Sequence, residues 1–142
     1  MGLHCESALD SRLIQMLKQL NKYLNHFPRS EKYGLSLQIR TAAYEVYGLV
    51  VESQKRHHKK TSLSSLDVRH EQLRMFVRLA HELGYFQFKD GSQLQDSAES
   101  IAERRYHALS KMIDELGRMI GGWIHSVRTK DESAKQTPRE SS

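Results

Sequence analysis

Cysteine and proline are scarce in this chain of 142 residues: one cysteine, Cys5, and two prolines, Pro28 and Pro138. A lone thiol has no partner within the chain, which excludes an internal disulfide framework and makes a reducing cytoplasm the expected setting. No apolar run approaches the ~18 residues that a membrane span requires, so no membrane role is expected. The opening MGLHCESALD has neither the basic residues nor the apolar run of a secretory signal, and Glu6 stands where a myristoylation signal prefers Ser or Thr. Glycine-rich phosphate loops, cysteine pairs with zinc spacing and the His-Glu-x-x-His pattern are also missing. Glu103 and His107 are four apart and have no second copy, whereas a di-iron bundle needs Glu-x-x-His on two helices. No cofactor or metal is therefore expected.

What is present reads as helix. Apolar residues make up 38% of the chain and charged residues 27%, a globular balance with room for one core. Leu9, Leu13, Met16, Leu17, Leu20, Leu24 and Phe27 recur at threes and fours, predicting a first helix that Pro28 ends. Ser30 is placed to cap a second helix from about Glu31 to Ser53, with Leu35, Ile39, Ala42, Ala43, Val46 and Val50 inward. Hydroxyls in Thr61 to Asp67, with Ser64 and Asp67 at capping-box spacing, open a third. Its inner side carries Leu66, Leu73, Phe76, Val77, Ala80 and Leu83, and Gly84 is its stop. After the KDGS turn a fourth carries Ala98, Ile101, Leu109, Met112, Ile113, Leu116, Ile120, Trp123 and Val127. The expectation is an all-α, antiparallel up-and-down four-helix bundle over 8–128, a flexible start at 1–7 and a disordered tail at 129–142.

Two features exceed what one bundle needs. Tyr33, Leu37, Tyr44 and Val51, and likewise Val68, Met75, Leu79 and Phe86, form second apolar stripes away from the core faces, which predicts self-association. In LGRMIGGWIHSV, each glycine costs a helix about 1 kcal/mol relative to alanine. Gly117 and Gly121 are therefore expected to admit a neighbouring backbone, with Trp123 filling the adjacent core.

The net charge is +5, and it is clustered. The run QKRHHKK places Lys55, Arg56, His57, His58, Lys59 and Lys60 together, the histidines adding charge in mild acid. Arg74 and Arg78 share a face of the third helix, and Arg104, Lys111 and Arg118 recur every seven residues on the fourth. These eleven residues are the candidate contacts to nucleic-acid phosphate or to an acidic protein, a mode that needs no base-specific geometry. Arg74 with His81 and Arg118 with His125 resemble the Arg-x(4 to 6)-His motif of HEPN ribonucleases, which keeps RNA cleavage as an alternative.

Three stretches carry a resemblance: FPRSEKYGLSLQIRTAAYEVYGLVVES (27–53), KKTSLSSLDVRHEQLRMFVRLAHELGYF (59–86) and YHALSKMIDELGRMIGGWIHSV (106–127). Together they resemble the accessory variability determinant (Avd) family of diversity-generating retroelements, within the wider group that includes the ribosomal-RNA intervening-sequence four-helix proteins. The FPxxExYGLxxQIR opening is shared across that group, while KKTSLSSLDV and DELGRMIGGWI are similar to the Avd branch. The resemblance implies a four-helix protomer in a basic, barrel-shaped homopentamer without catalytic activity. It also implies that the ring binds the retroelement's reverse transcriptase and template-region RNA, in support of mutagenic cDNA synthesis. An intervening-sequence-type bundle with no retroelement role is the blander alternative. The linker QFKDGSQLQDSAESIAERR is longer than the family pattern, so the resemblance implies nothing for residues 87–105.

Overall fold

The computed structural model describes residues 3–91 and 96–136. Four helices account for most of them: α1 (Leu3–Leu24), α2 (Leu35–Lys55), α3 (Lys60–Glu82) and α4 (Ala98–Gln136). A single 3-10 turn at Arg29–Glu31 lies between α1 and α2, and no strand occurs among the described residues.

Each helix turns one apolar stripe inward. Leu9, Leu13, Met16, Leu20 and Leu24 of α1 meet Leu35, Ile39, Ala42, Ala43, Val46 and Val50 of α2 in one core with α3 and α4. Apolar area removed from water at about 25 cal/mol per Å² makes this seam the main favourable term. Polar pairs at its edges fix the directions. Asp10 meets Gln54 while Asn25 meets Arg40, and His70 meets Ile113 while His81 meets Glu103. Arg12 pairs with Glu115 at 3.0 Å. Early residues of one helix thus face late residues of its neighbour, the antiparallel up-and-down arrangement.

The corners are built differently from the sequence expectation. Ser30 does not cap α2; Glu31 Oε2 accepts the Leu35 N–H at 2.7 Å, and α2 starts four residues later than Glu31. A Cβ on Gly34 would lie 2.6 Å from that oxygen, so the absence of a side chain there makes room for the cap. No side chain caps α3 either, and it begins at Lys60 rather than within Thr61–Asp67. Its C-terminal stop is as expected: Gly84 has φ +80°, Gly84 N–H bonds His81 O and Tyr85 N–H bonds Ala80 O, a left-handed closure that glycine adopts without strain.

That turn corrects two residues. Phe86, placed by periodicity on the spare outer stripe, is 1% exposed, because α3 ends at Glu82 and the glycine turn swings the ring inward. It packs edge-on against Tyr23 and Phe27. Leu83, expected in the core, is 52% exposed at the helix end. Beyond Phe86 the chain is pinned by the buried Arg105, whose Nη1 donates to Phe86 O at 2.8 Å and Phe88 O at 2.7 Å, with Nη2 3.2 Å from Asp90. Its guanidinium lies 3.8 Å from the Phe88 ring centre, and that ring stacks on His26. Burial lifts the neighbouring Tyr23 phenol above its usual pKa, against the lowering pull of Arg105.

The two ends also differ from expectation. α1 begins at Leu3, inside the stretch expected to be flexible, and α4 continues to Gln136, well into the expected tail. In this last segment residues such as Lys130, Glu132 and Ala134 favour helix without burying a face. Residues 137–142 lie outside the described residues.

Gly117 accommodates a side chain and not a backbone. The buried His70 donates from Nε2 to Ile113 O at 2.7 Å, and a Cβ on Gly117 would lie 2.8 Å from its Cε1. Gly121 and Gly122 meet nothing within 4 Å. Gly117→Ala is therefore expected to destabilise the fold by about 1–3 kcal/mol despite alanine's better helix propensity, since the His70 hydrogen bond is displaced. Gly121→Ala is expected to stabilise it by about 0.5–1 kcal/mol. Urea denaturation of both variants checks the contrast; stabilisation of both would remove the His70 contact from the account.

Candidate nucleic-acid interface

Lys55 ends α2 and Lys60 begins α3, so the tight corner between them gathers the basic run at one end of the bundle. Lys59 is spent on that corner. Its ammonium donates to Ser53 O at 2.6 Å, Gln54 O at 3.2 Å and Arg56 O at 3.0 Å, a cation on the negative end of α2. The remaining side chains of the run point outward. Arg56 pairs with Glu52, an exposed i,i+4 contact that leaves most of its charge available. The His57 and His58 rings meet edge-on at 4.8 Å, both exposed. Lys55 and Lys60 are exposed and make no ion pair among the described residues.

The last turns of α4 complete this end. His57, His58, Lys60, Trp123, Val127 and Lys130 border a groove of about 460 Å³. A second groove of about 570 Å³ shares Lys60 and Val127 and adds Gly121 and Arg128. Arg128 and Lys130 were missed from sequence because the α4 periodicity was followed only to Val127; antiparallel pairing of α3 with α4 was the signal that would have found them. Asp131 borders both grooves and Asp67 and Glu132 the second, and these carboxylates partly offset the charge.

The other candidates do not join this cluster into one patch. Arg74 sits between Glu71 at 3.4 Å and Asp114 at 3.2 Å, on the α3–α4 seam. Arg78 borders the same seam groove with Tyr106 and has no carboxylate partner among the described residues. Lys111 and Arg118 are exposed on the Asp114 side of α4, also without ion pairs there. Arg104 is at the far end, paired with Asp96. The two Arg–His pairs of the cleavage motif have separate surroundings as well. His81 stacks on Tyr106 with centroids 4.1 Å apart and meets Glu103 at 2.8 Å, while Arg74 is held by its carboxylates. His125 and Arg118 are both exposed. No group of three or more His, Cys, Asp or Glu arranged to hold a metal occurs among the described residues.

Seven of the eight stripe residues are exposed. Tyr33 precedes α2, Leu37, Tyr44 and Val51 lie on its outer side, and Val68, Met75 and Leu79 on that of α3. All seven are exposed, from 44% for Val51 to 80% for Tyr33, and Tyr47, also exposed, extends the α2 set toward Lys55. Isolated exposed apolars are ordinary, but a run on two adjacent helices is more than a monomer surface usually leaves bare.

The different tasks of neighbouring lysines can be separated by mutation. Lys59→Gln is expected to cost about 1–3 kcal/mol of stability through three lost charge-assisted hydrogen bonds. Lys60→Gln is expected to stay within about 0.5 kcal/mol of the parent. Thermal unfolding of the two variants side by side is the check, and equal effects would mean that Lys59 is not the cap.

Compared with known proteins, the chain is matched by a family model described as bAvd-like over residues 7–127, a span from Ser7 in α1 through α2 and α3 to Val127 in α4. No curated protein matches it. No described helix is long and apolar enough to cross a membrane. The match covers the whole bundle core, and the chain belongs to the bAvd-like family.

Proposed function

We propose that the protein is a non-enzymatic accessory subunit that binds a retroelement reverse transcriptase and its template RNA, with the cDNA product as a further ligand, in support of diversity-generating synthesis in the cytoplasm. Family membership supports the role. The observation that carries the mechanism is the coincidence of a basic end, only partly offset by carboxylates, with bare apolar stripes on α2 and α3. Copies joined through those stripes, five in the ring that the resemblance implies, would bring several Lys55–Lys60 ends together. Clustered cations raise the local potential and release counterions from a polyanion, so affinity multiplies without base-specific contacts. The separate engagement of Arg74 and His81 supports binding over RNA cleavage as the role of α3.

Charge reversal at the exposed lysines, Lys55→Glu with Lys60→Glu, is expected to weaken single-stranded RNA binding and to flatten the slope of log Kd against log salt by about 1–2. Fluorescence anisotropy across a salt series reads both, and an unchanged slope would take the loop out of the interface. Met75→Asp with Leu79→Asp is expected to shift the sedimentation of the parent assembly to that of a single subunit. A parent chain that sediments as one subunit at high concentration would overturn the oligomeric part of the reading.

A further inference from the structure

The α1–α2 corner lies at the opposite end of the bundle from the basic loop, roughly 30 Å away along α2 at 1.5 Å per residue. A notch of about 210 Å³ opens there, bordered by Asn25, Pro28, Arg29, Lys32, Ser36 and Arg40. Three of these are cations, and no carboxylate lines the notch among the described residues. Arg29 and Lys32 are exposed and make no ion pair among the described residues. Arg40 is held by neutral amides alone, with Nη2 donating to Asn25 Oδ1 at 2.9 Å and Nε to Asn21 Oδ1 at 3.4 Å. Two of its donors are thus fixed in direction while its charge stays uncompensated.

Ser36 forms part of the notch wall. It is 2% exposed, and its hydroxyl has no hydrogen-bond partner among the described residues. A buried hydroxyl without a partner costs folding free energy that an acceptor in the notch would recover. Ser36 is also the second residue of α2, in the first turn, where amide N–H groups have no helical carbonyl and the helix dipole favours an anion. Glu31, the nearby acid, does not line the notch. Its Oε2 accepts the Leu35 N–H and its Oε1 the Tyr85 hydroxyl, so it caps the first amide of the turn only.

We infer that this notch is a binding site for a phosphate group. Arg29 and Lys32 supply exposed charge at the mouth, Arg40, positioned by Asn21 and Asn25, supplies its charge and its remaining N–H donors, and Ser36 donates from the wall. The site shares no residue with the Lys55–Lys60 end and stands whether or not the accessory role does. A phosphodiester of a single-stranded polynucleotide and free orthophosphate present the same oxygens, so the experiment has an arm for each.

Broadening of the phosphorus resonance of orthophosphate by the full-length protein, at fixed ionic strength, is the direct reading. Wild type is expected to broaden the line, and Arg29→Gln with Lys32→Gln to reduce the excess width by about fivefold or more. Ser36→Ala is expected to lose part of it. Both glutamine substitutions are at exposed positions, and an unchanged melting temperature verifies folding. No broadening by wild type, or equal broadening by wild type and the glutamine variant, overturns the site. Saturating single-stranded oligonucleotide that restores a narrow line assigns the notch to polynucleotide phosphate; broadening that persists overturns that source and assigns free phosphate. If the oligonucleotide fails to bind at all while the notch still responds, the accessory reading falls and the phosphate site remains.

Discussion

An amphipathic helix must hide its apolar stripe, and the architecture follows from how often that demand is met within one subunit. α1 and α4 satisfy it by facing the core, while α2 and α3 satisfy it once and keep a second set outward, Leu37, Tyr44 and Val51 beside Val68, Met75 and Leu79. Closing four stripes into one seam stabilises the protomer, and the leftover stripes set what it can associate with. Charge is distributed by the same geometry. Antiparallel pairing carries the end of α4 back to the start of α3, which is why Arg128 and Lys130 come to lie beside Lys60.

The corners show how little sequence a tight connection needs when one side chain answers several backbone groups. Lys59 covers three carbonyls, Glu31 joins the start of α2 to Tyr85, and Gly84 reverses the chain at the end of α3. The shared FPxxExYGLxxQIR opening can be read through these contacts. Phe27 packs on Phe86, Glu31 caps the helix, Gly34 leaves room for that carboxylate, and Arg40 ties α2 to the end of α1. The motif thus describes a corner as much as a surface.

Legibility in the sequence tracked periodicity. The core positions of α1 and α2 were readable because threes and fours are imposed by a helix with one dry side, and the exposed stripes were readable for the same reason. What periodicity could not show is where it stops. Phe86 continues the outer spacing of α3 numerically, yet it lies past a glycine turn and faces inward. The N-terminal caps were misread because Ser and Thr are the usual choices, whereas a glutamate from outside the helix caps α2 and no side chain caps α3. Within the candidate site, residue type alone could not tell Lys59 from Lys60, since the distinction is which ammonium the corner folds over. Nor could it tell Arg105, buried under Phe88, from its neighbour Arg104.

Arg105 grips the linker through the carbonyl oxygens of Phe86 and Phe88, and carbonyl oxygens are common to every residue type. The bundle's last crossover is therefore fastened through the main chain of Phe86 and Phe88 and the side chain of Asp90, and α4 begins at Ala98. A connection of this kind can lengthen or change composition between its two anchors while the helices keep their register. That offers a physical route by which relatives with the same core could carry crossovers of different size.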